Sequence, residues 1–284
     1  MTNFLEKKQL EMALSVTRKI LEDAITTSSY GGDPKKNGQE AKNAAIRSSG
    51  PIQQLHGIIA ESIYKNLVAL GLKPSVWPPL GATSPELKVT GLLKAKDQDI
   101  SFTVDPHVKE QINTGVEAGR IDPIGLNATN RALVVGVRSQ LSSLAKNFDT
   151  LVERAFAETL NLRLRAENIT LGEVYLIPLR EFDDESLKNN RWGLRPTLID
   201  LPKFARIFNA ITDPNYRKNP TDLYKYNATM LLVADLSSKN VEILWDENDV
   251  TKHFGKQIAS DMKPLLPCHF IQRISEAYLD ALAI

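Results

Sequence analysis

Hydrophobic positions recur with helical spacing in several separate segments of the chain. Apolar residues three and four positions apart predict long helices at 4–26, 52–70, 144–165 and 269–282, and a shorter one at 202–210. Polar residues fill many of the remaining positions of these segments. Each predicted helix therefore has one apolar side that can pack against a sheet.

Compact apolar runs of strand length alternate with these helical segments. The runs that predict strands lie at 86–93, 99–104, 121–126, 132–138, 171–182, 228–237 and 241–245. Helices come first, and strands and helices then mix along the rest of the chain. This order predicts an α/β fold with a mixed central sheet flanked by helices.

Two segments lack periodicity and are rich in residues that break regular structure. Residues 26–43 predict a loop or mobile arm, and residues 73–85 predict a Pro-rich connector. We therefore expect residues 1–50 to form an N-terminal helix and mobile arm. Residues 51–284 are expected to form a single compact α/β domain.

Composition narrows the class of protein without identifying a function. No apolar run is long enough to cross a bilayer, and the N-terminus lacks the apolar core of a signal peptide. Cys268 is the single cysteine, which excludes an intramolecular disulfide and multi-cysteine zinc sites. These features predict a cytoplasmic protein without a membrane segment. A net charge of +1 gives no strong field over the whole protein, but leaves room for a local basic cleft.

A polar stretch follows the apolar run at 132–137 directly. Residues two apart in a strand face the same side, so Gly136, Arg138 and Gln140 are expected to project together. The carboxyl ends of strands in open α/β sheets are common locations of functional sites. The end of this predicted strand is therefore the first candidate for a site.

This part of the chain resembles the catalytic core of type II restriction endonucleases of the PD-(D/E)XK nuclease superfamily. In that core, one strand begins with an aspartate and the next carries an acid-x-lysine pair, often followed by Ser-Gln, before a polar helix. Arg138-Ser139-Gln140 stands where lysine-Ser-Gln would stand, and Asp122 precedes Gly136 by 14 residues. The resemblance covers roughly residues 50–180 and implies a restriction-endonuclease-like core.

The chain departs from that motif at two positions. Gly136 stands where the second acid is expected, and Arg138 stands in place of the lysine. One hypothesis is that the acid has moved to Glu153 on the following helix, with Glu61 on the preceding helix as a further candidate. The other hypothesis is that the site has lost its catalytic acid and is inactive.

The resemblance implies a Mg²⁺-dependent, sequence-specific endonuclease that acts on double-stranded DNA as a homodimer. Asp122, Glu153 and Glu61 would hold the metal through hard oxygen ligands. Arg138 would contact the scissile phosphate, and Gln140 would orient that phosphate or the water. The residues expected to contact DNA are Lys35, Lys36, Lys94, Lys96, Lys146 and Asn147. The alternative is a catalytically degenerate, DNA-binding or defence-associated protein with the same fold.

The candidate acids also have purely structural interpretations. Asp122 precedes a proline and could belong to a turn, whereas Glu153 and Glu61 could lie on solvated helix faces. Asp105 is a rival for the catalytic aspartate, because it follows the predicted strand at 99–104. A third, more general possibility is an α/β protein unrelated to DNA.

Overall fold

The computed structural model describes residues 4–48, 50–215 and 220–283. Its helices are α1 (Lys7–Thr27), α2 (Gly38–Arg47), α3 (Gln53–Ala69), α4 (Leu126–Asn130), α5 (Leu144–Arg163), α6 (Asp184–Lys188), α7 (Leu201–Ala210), α8 (Glu247–Phe254), α9 (Lys256–Met262) and α10 (Pro267–Leu282). Its strands are β1 (Ser29–Tyr30), β2 (Asp33–Pro34), β3 (Ser75–Trp77), β4 (Leu87–Thr90), β5 (Ala95–Gln98), β6 (Ile100–Thr103), β7 (Glu110–Gln111), β8 (Ile121–Asp122), β9 (Leu133–Ser139), β10 (Thr170–Pro178), β11 (Ala228–Asp235) and β12 (Glu242–Ile243).

A six-stranded mixed sheet organises the chain, with the strand order β12-β11-β10-β9-β6-β3. The three central strands β9, β10 and β11 are parallel. The strands β6, β3 and β12 run antiparallel to their neighbours. The predicted α/β fold with a mixed central sheet is confirmed.

Helices cover both faces of this sheet because its strand residues alternate between two apolar clusters. On β9, Val135 and Val137 pack with residues of α1, α3 and α10. Val134 packs on the opposite face with residues of α5 and α7. Every residue of β10 is buried, as expected for a central parallel strand covered on both sides. The side of β9 that carries Val134, Gly136 and Arg138 thus faces α5.

The long periodic segments are confirmed, whereas some short elements differ from the prediction. Residues 26–43 form β1, β2 and the start of α2 instead of a loop. The Asn37 side chain caps α2 by accepting a hydrogen bond from the Glu40 N–H, and Ala41 and Ala45 are buried. The buried face of α2 includes these small alanines, which give a weak helical pattern among the glycine, proline and asparagine residues of the segment. Strand β3 lies within the Pro-rich connector, and α8 and α9 were not predicted.

The strand expected at 121–126 is also different in the structure. Only Ile121–Asp122 is extended, and it pairs with β7 in a separate two-stranded hairpin. Pro123 and the positive φ of Gly125 follow, and α4 begins at Leu126. The antiparallel neighbour of β9 in the main sheet is β6. The expectation that residue 121 starts the strand beside β9 is therefore wrong.

Helix α1 packs within the same apolar cluster as the sheet. Leu10, Leu14 and Leu21 share this cluster with Ile59 of α3 and Val135 of β9. The domain boundary expected near residue 50 stays a prediction. Among the described residues, no helix is long and apolar enough to cross a membrane.

Candidate functional site

The end of strand β9 carries a guanidinium held between two carboxylates. Arg138 projects from β9 toward α5, and its side chain is 21% exposed. Its Nε lies 2.7 Å from Oε1 of Glu173 on β10. Its Nη2 forms an ion pair with Oε2 of Glu158 on α5. Arg138 therefore links two strands and the helix that covers them.

Glu173 occupies the space above Gly136. These two residues are direct partners in the parallel pairing of β9 and β10. A Cβ atom added at Gly136 would overlap Oε2 of Glu173. The absence of a side chain at residue 136 thus leaves room for a carboxylate from the neighbouring strand, close to where an acid at residue 136 would project.

Glu173 is a buried acid with an unusual proton affinity. Burial raises the pKa of Glu173 to about 7, although the nearby Arg138 guanidinium opposes this rise. A carboxyl group in this state is partly protonated near neutral pH. Raised carboxyl pKa values of this kind are frequent at catalytic sites, although structural ion pairs also produce them.

Asp99 approaches the same place from the other side of β9. It lies between β5 and β6, and its Oδ2 accepts a hydrogen bond of 2.8 Å from the Val137 N–H. Asp99 and Glu173 both line a small cavity of about 20 Å³, together with Arg138 and Glu158. This volume is enough for about one water-sized group.

Lys96 supplies an ammonium group to this cavity from strand β5. Its Nζ lies 2.6 Å from Oε1 of Glu158. Burial, and then the nearby positive charge of Arg138, lower the pKa of Lys96 below its ordinary value. A lysine with a lowered pKa exchanges protons more readily than an arginine, which stays charged.

The donor set around this cavity is compatible with a hard divalent cation. Asp99, Glu158 and Glu173 offer only carboxylate oxygens, which Mg²⁺ prefers. Within the described ranges, these three groups do not bring oxygens within 4.8 Å of one another as a trio. Mg²⁺ commonly uses one or two carboxylates and completes its shell with water and substrate phosphate. Asp99 and Glu173 are the pair that best fits this role.

A second, larger cavity begins at the same residues. It has a volume of about 630 Å³ and shares Arg138 and Glu173 with the small cavity. Its other lining residues are Arg47, Ser139, Gln140, Asn147, Thr150, Leu151, Arg154, Ala155, Tyr175 and Phe208. The polar strand end thus opens into a cavity with three arginines.

The three carboxylates expected to hold a metal lie elsewhere. Asp122 is fully buried and lies 2.6 Å from Nη2 of Arg165. Glu61 is exposed and pairs with Lys65 at 2.8 Å, and Glu153 is exposed on α5. None of these acids lines either cavity at Arg138. The structure therefore does not bring Asp122, Glu153 and Glu61 together around Arg138.

The residues expected to contact DNA divide into two groups. Asn147 lines the large cavity, as does the predicted catalytic residue Gln140, and Lys94 and Lys96 line the small one. The remaining residues of the set, which line neither cavity, are Lys35, Lys36 and Lys146. The rival aspartate, Asp105, lies 2.7 Å from Arg131 Nε and lines neither cavity.

Another trio of possible ligands lies outside this region. Among the described residues, Glu247, Cys268 and His269 place ligand atoms within 4.8 Å of one another. Burial raises the pKa of Cys268 to about 11, which disfavours the thiolate that a soft metal needs. Lys263 also lies 3.2 Å from Glu247 and neutralises its charge. This trio is less suited to a metal than the carboxylates near Arg138.

Sequence reasoning missed Asp99 and Glu173, the two central acids. Glu173 is a single charged residue in the otherwise apolar run at 171–179, and this isolation is a usable signal. Asp99 comes directly before β6, the antiparallel neighbour of β9 in the sheet.

No protein-family model matches this chain, and no curated protein sequence matches it either.

Proposed function

We propose that this protein is an endonuclease that hydrolyses phosphodiester bonds of double-stranded DNA with a divalent metal. The observation that carries the proposal is the position of Glu173 over Gly136, beside Asp99 and Lys96. Neighbouring strands supply both the acid and the lysine that β9 itself lacks. The predicted role of Arg138 is retained, whereas Asp99 and Glu173 replace Asp122 and Glu153 as metal ligands.

The order of the elements also supports a nuclease-like core. Asp99 directly precedes strand β6, which pairs with β9, and β9 leads into α5 and then β10. The β7–β8 hairpin and α4 lie between β6 and β9 in the chain. The resemblance implies this order: a strand starting with an aspartate, the strand with the motif, and a helix.

Each side chain has a distinct role in the proposed reaction. Asp99 and Glu173 hold the cation, which, when bound, activates water and neutralises charge on the phosphate. Lys96 accepts or relays a proton, for which its lowered pKa suits it. Arg138 stabilises the charge that develops on the phosphate oxygens. Gln140, in the large cavity, orients the phosphate.

Two further parts of the proposal derive from the resemblance: Mg²⁺ as the metal and a homodimer as the active form. We propose a cytoplasmic location from the sequence composition, which has one cysteine and no long apolar run. Symmetric dimers suit palindromic sites because the two subunits cut the two strands equivalently.

One contact favours the alternative of a DNA-binding protein without catalysis. The Arg138 guanidinium touches both Glu158 and Glu173 and so occupies the charge-compensating role of a metal. A stable internal ion pair of this kind would leave the fold intact and the chemistry absent. Binding to DNA without cleavage under any divalent cation would favour this alternative.

The test is incubation of plasmid and phage DNA with the protein, with and without Mg²⁺ or Mn²⁺. We expect metal-dependent linear fragments from the wild type and none from Glu173→Gln. Asp149→Asn is the matched control, because Asp149 is exposed on α5 and lines neither cavity. Equal cleavage by wild type and Glu173→Gln would overturn the proposed site.

Moving the carboxylate from residue 173 on β10 to residue 136 on β9 gives a sharper test. Glu173→Ala removes the acid, and Gly136→Glu in the same chain restores one on β9. Because residues 136 and 173 are direct partners, the double variant is expected to regain part of the cleavage that Glu173→Ala loses. A double variant as inactive as the single variant, although folded, would mean that the carboxylate position alone does not determine activity.

A further inference from the structure

The large cavity beside Arg138 has an unusual charge. Arg47 on α2 and Arg154 on α5 are exposed and line it together with Arg138. Within residues 4–48, 50–215 and 220–283, neither Arg47 nor Arg154 forms an ion pair. Glu173 is the single acid among the described residues of the cavity wall, and Arg138 already pairs with it. Two guanidinium groups thus remain available to an anion.

Guanidinium groups favour phosphate over other anions, because their planar donors match pairs of phosphate oxygens. Gln140, Asn147 and Thr150 add neutral hydrogen-bonding groups to the same cavity. These groups come from the end of β9 and from the first half of α5. A phosphate in this cavity would therefore have both charged and neutral partners.

Part of the cavity wall is apolar. Leu151, Ala155, Tyr175 and Phe208 form it, and all four are buried. Ligand sites of about 300–1,000 Å³ with apolar walls and a few polar groups are typical for molecules of nucleotide size. The volume of about 630 Å³ lies within this range. Inorganic phosphate alone would leave most of the cavity unfilled.

We infer that this cavity binds a single nucleotide unit. Its phosphate contacts Arg47 and Arg154, beside the already paired Arg138, and its base lies against the apolar part of the wall. The unit comes either from a nucleotide turned out of a DNA duplex or from a free mononucleotide. The first source rests on the proposed nuclease function, because it places that nucleotide beside Glu173. The second source does not require cleavage.

Direct binding tests the inference without metal and without cleavage. We would titrate the wild type with deoxyadenosine, deoxyguanosine, deoxycytidine and thymidine 5′-monophosphates by calorimetry. Inorganic phosphate and the unphosphorylated nucleosides are the comparison ligands. At least one nucleotide is expected to bind about tenfold or more tightly than either comparison ligand, because it fills both parts of the cavity. Phosphate binding as tightly as every nucleotide would overturn the inference.

Variants locate the binding within the molecule. Arg47→Ala and Arg154→Ala are each expected to weaken the nucleotide about tenfold, because each removes a charged donor. Arg206→Ala is the control: Arg206 is an exposed arginine on α7, the helix that supplies Phe208, and it does not line the cavity. Unchanged affinity in both cavity variants would overturn the inference.

Competition distinguishes the two sources. If the occupant is part of DNA, sonicated duplex DNA will displace the bound mononucleotide. If the occupant is a free nucleotide, duplex DNA will leave the bound mononucleotide in place, whether or not DNA binds elsewhere on the protein. Nucleotide binding by a protein that cuts no DNA would preserve this inference and remove the nuclease proposal, so the two can fail separately.

Discussion

Asp122 and Glu173 are both buried carboxylates with an arginine beside them, yet their surroundings differ. Asp122 is 0% exposed and lies 2.6 Å from Nη2 of Arg165. Its other oxygen accepts a hydrogen bond from the Ile124 N–H, so one oxygen is hydrogen-bonded and the other lies in the ion pair with Arg165. Glu173 is 3% exposed by its side chain and lies 2.7 Å from Nε of Arg138. Burial and an arginine alone do not distinguish these two acids.

The difference is what lies around each pair. Asp122 and Arg165 join the β7–β8 hairpin to the segment after α5, and neither lines one of the two cavities at Arg138. Glu173 lines both cavities and shares them with other charged groups. The pKa of Glu173 is raised to about 7 because its arginine does not offset its burial. Glu173 is therefore the better candidate for a catalytic role, because it adjoins a cavity and its arginine does not fully offset the cost of burying its charge.

Removing Asp122 should have the largest effect, and the effect should be on stability. Asp122→Ala leaves Arg165 without its buried partner, and breaking such a pair typically costs about 3–5 kcal/mol. Urea unfolding followed by circular dichroism measures the loss. The double variant Asp122→Ala/Arg165→Leu should recover much of it, because no uncompensated charge remains. A folded Asp122→Ala protein with normal stability and no DNA cleavage would reverse our assignment of the two acids.

Removing Glu173 should affect cleavage and spare the fold. Glu173→Gln keeps the shape of the side chain but removes a metal ligand, so the cleavage rate should fall about 10²–10³-fold. The urea midpoint at pH 8 should stay equal or rise, because a buried charge is lost while Arg138 keeps Glu158. A large fall in the midpoint would make Glu173 a structural residue like Asp122.

The strongly periodic elements of the fold could be predicted from the sequence, whereas short elements and strand pairing could not. Periodicity predicts helices α3 and α5 and strands β9, β10 and β11, because their apolar residues pack directly into the two apolar clusters that flank the sheet. Helix α2 was missed because its buried residues, Gly38, Ala41, Lys42 and Ala45, include no large apolar side chain. Strand pairing also could not be read from sequence, so β8 was placed beside β9 instead of β6.

The candidate site was only partly predictable for a related reason. Arg138 and Gln140 stand at a visible change from apolar to polar residues, and the structure places both at cavities. Glu173 reaches the site through its register with Gly136 across two strands 37 positions apart in sequence. Sequence spacing suggested an acid on the following helix instead, at Glu153. A local motif carries no information about which neighbouring strand fills a gap.

Filling the space over Gly136 should have a smaller effect on cleavage. A methyl group at residue 136 displaces the Glu173 carboxylate, and overpacking of this kind costs about 1–3 kcal/mol. Gly136→Ala should therefore lower the cleavage rate about tenfold while the protein stays folded. Gly172→Ala on β10 is a comparison, because its methyl would meet side chains of Ile274 and Val135 on the other face. Equal cleavage losses in both variants would mean that the effect is general crowding.

The proton affinity of Glu173 should give activity and stability opposite pH dependences. Only the ionised carboxylate binds a cation, so cleavage should rise with pH through about 7, by up to about tenfold between pH 6 and 8. Because the pKa of Glu173 is higher in the folded state than in the unfolded state, protonation of Glu173 stabilises the fold. This contribution to stability is complete when the pH lies below the pKa of Glu173 in the unfolded chain. That contribution is lost as pH rises to about 7. Urea midpoints and cleavage rates measured at the same pH values check both, and Glu173→Gln should lack this component of stability. A wild-type midpoint that rises between pH 5 and 7 relative to the variant would contradict the assignment.

The smallest expected effect is on the salt dependence of DNA affinity, which should differ between variants of Arg154 and of Arg165. Each phosphate contact releases about one counterion, so the logarithm of DNA affinity falls linearly with the logarithm of salt concentration. Arg154 lines the large cavity and forms no ion pair with another described residue, so Arg154→Ala should reduce this slope by about one. Arg165 pairs with Asp122 and Glu110, so Asp122→Ala/Arg165→Leu should leave the slope unchanged. Fluorescence anisotropy of labelled duplex DNA from low to high salt measures both slopes. An equal reduction in both proteins would mean that the hairpin pair also lies at the DNA surface, and binding without any salt dependence would count against DNA as the ligand.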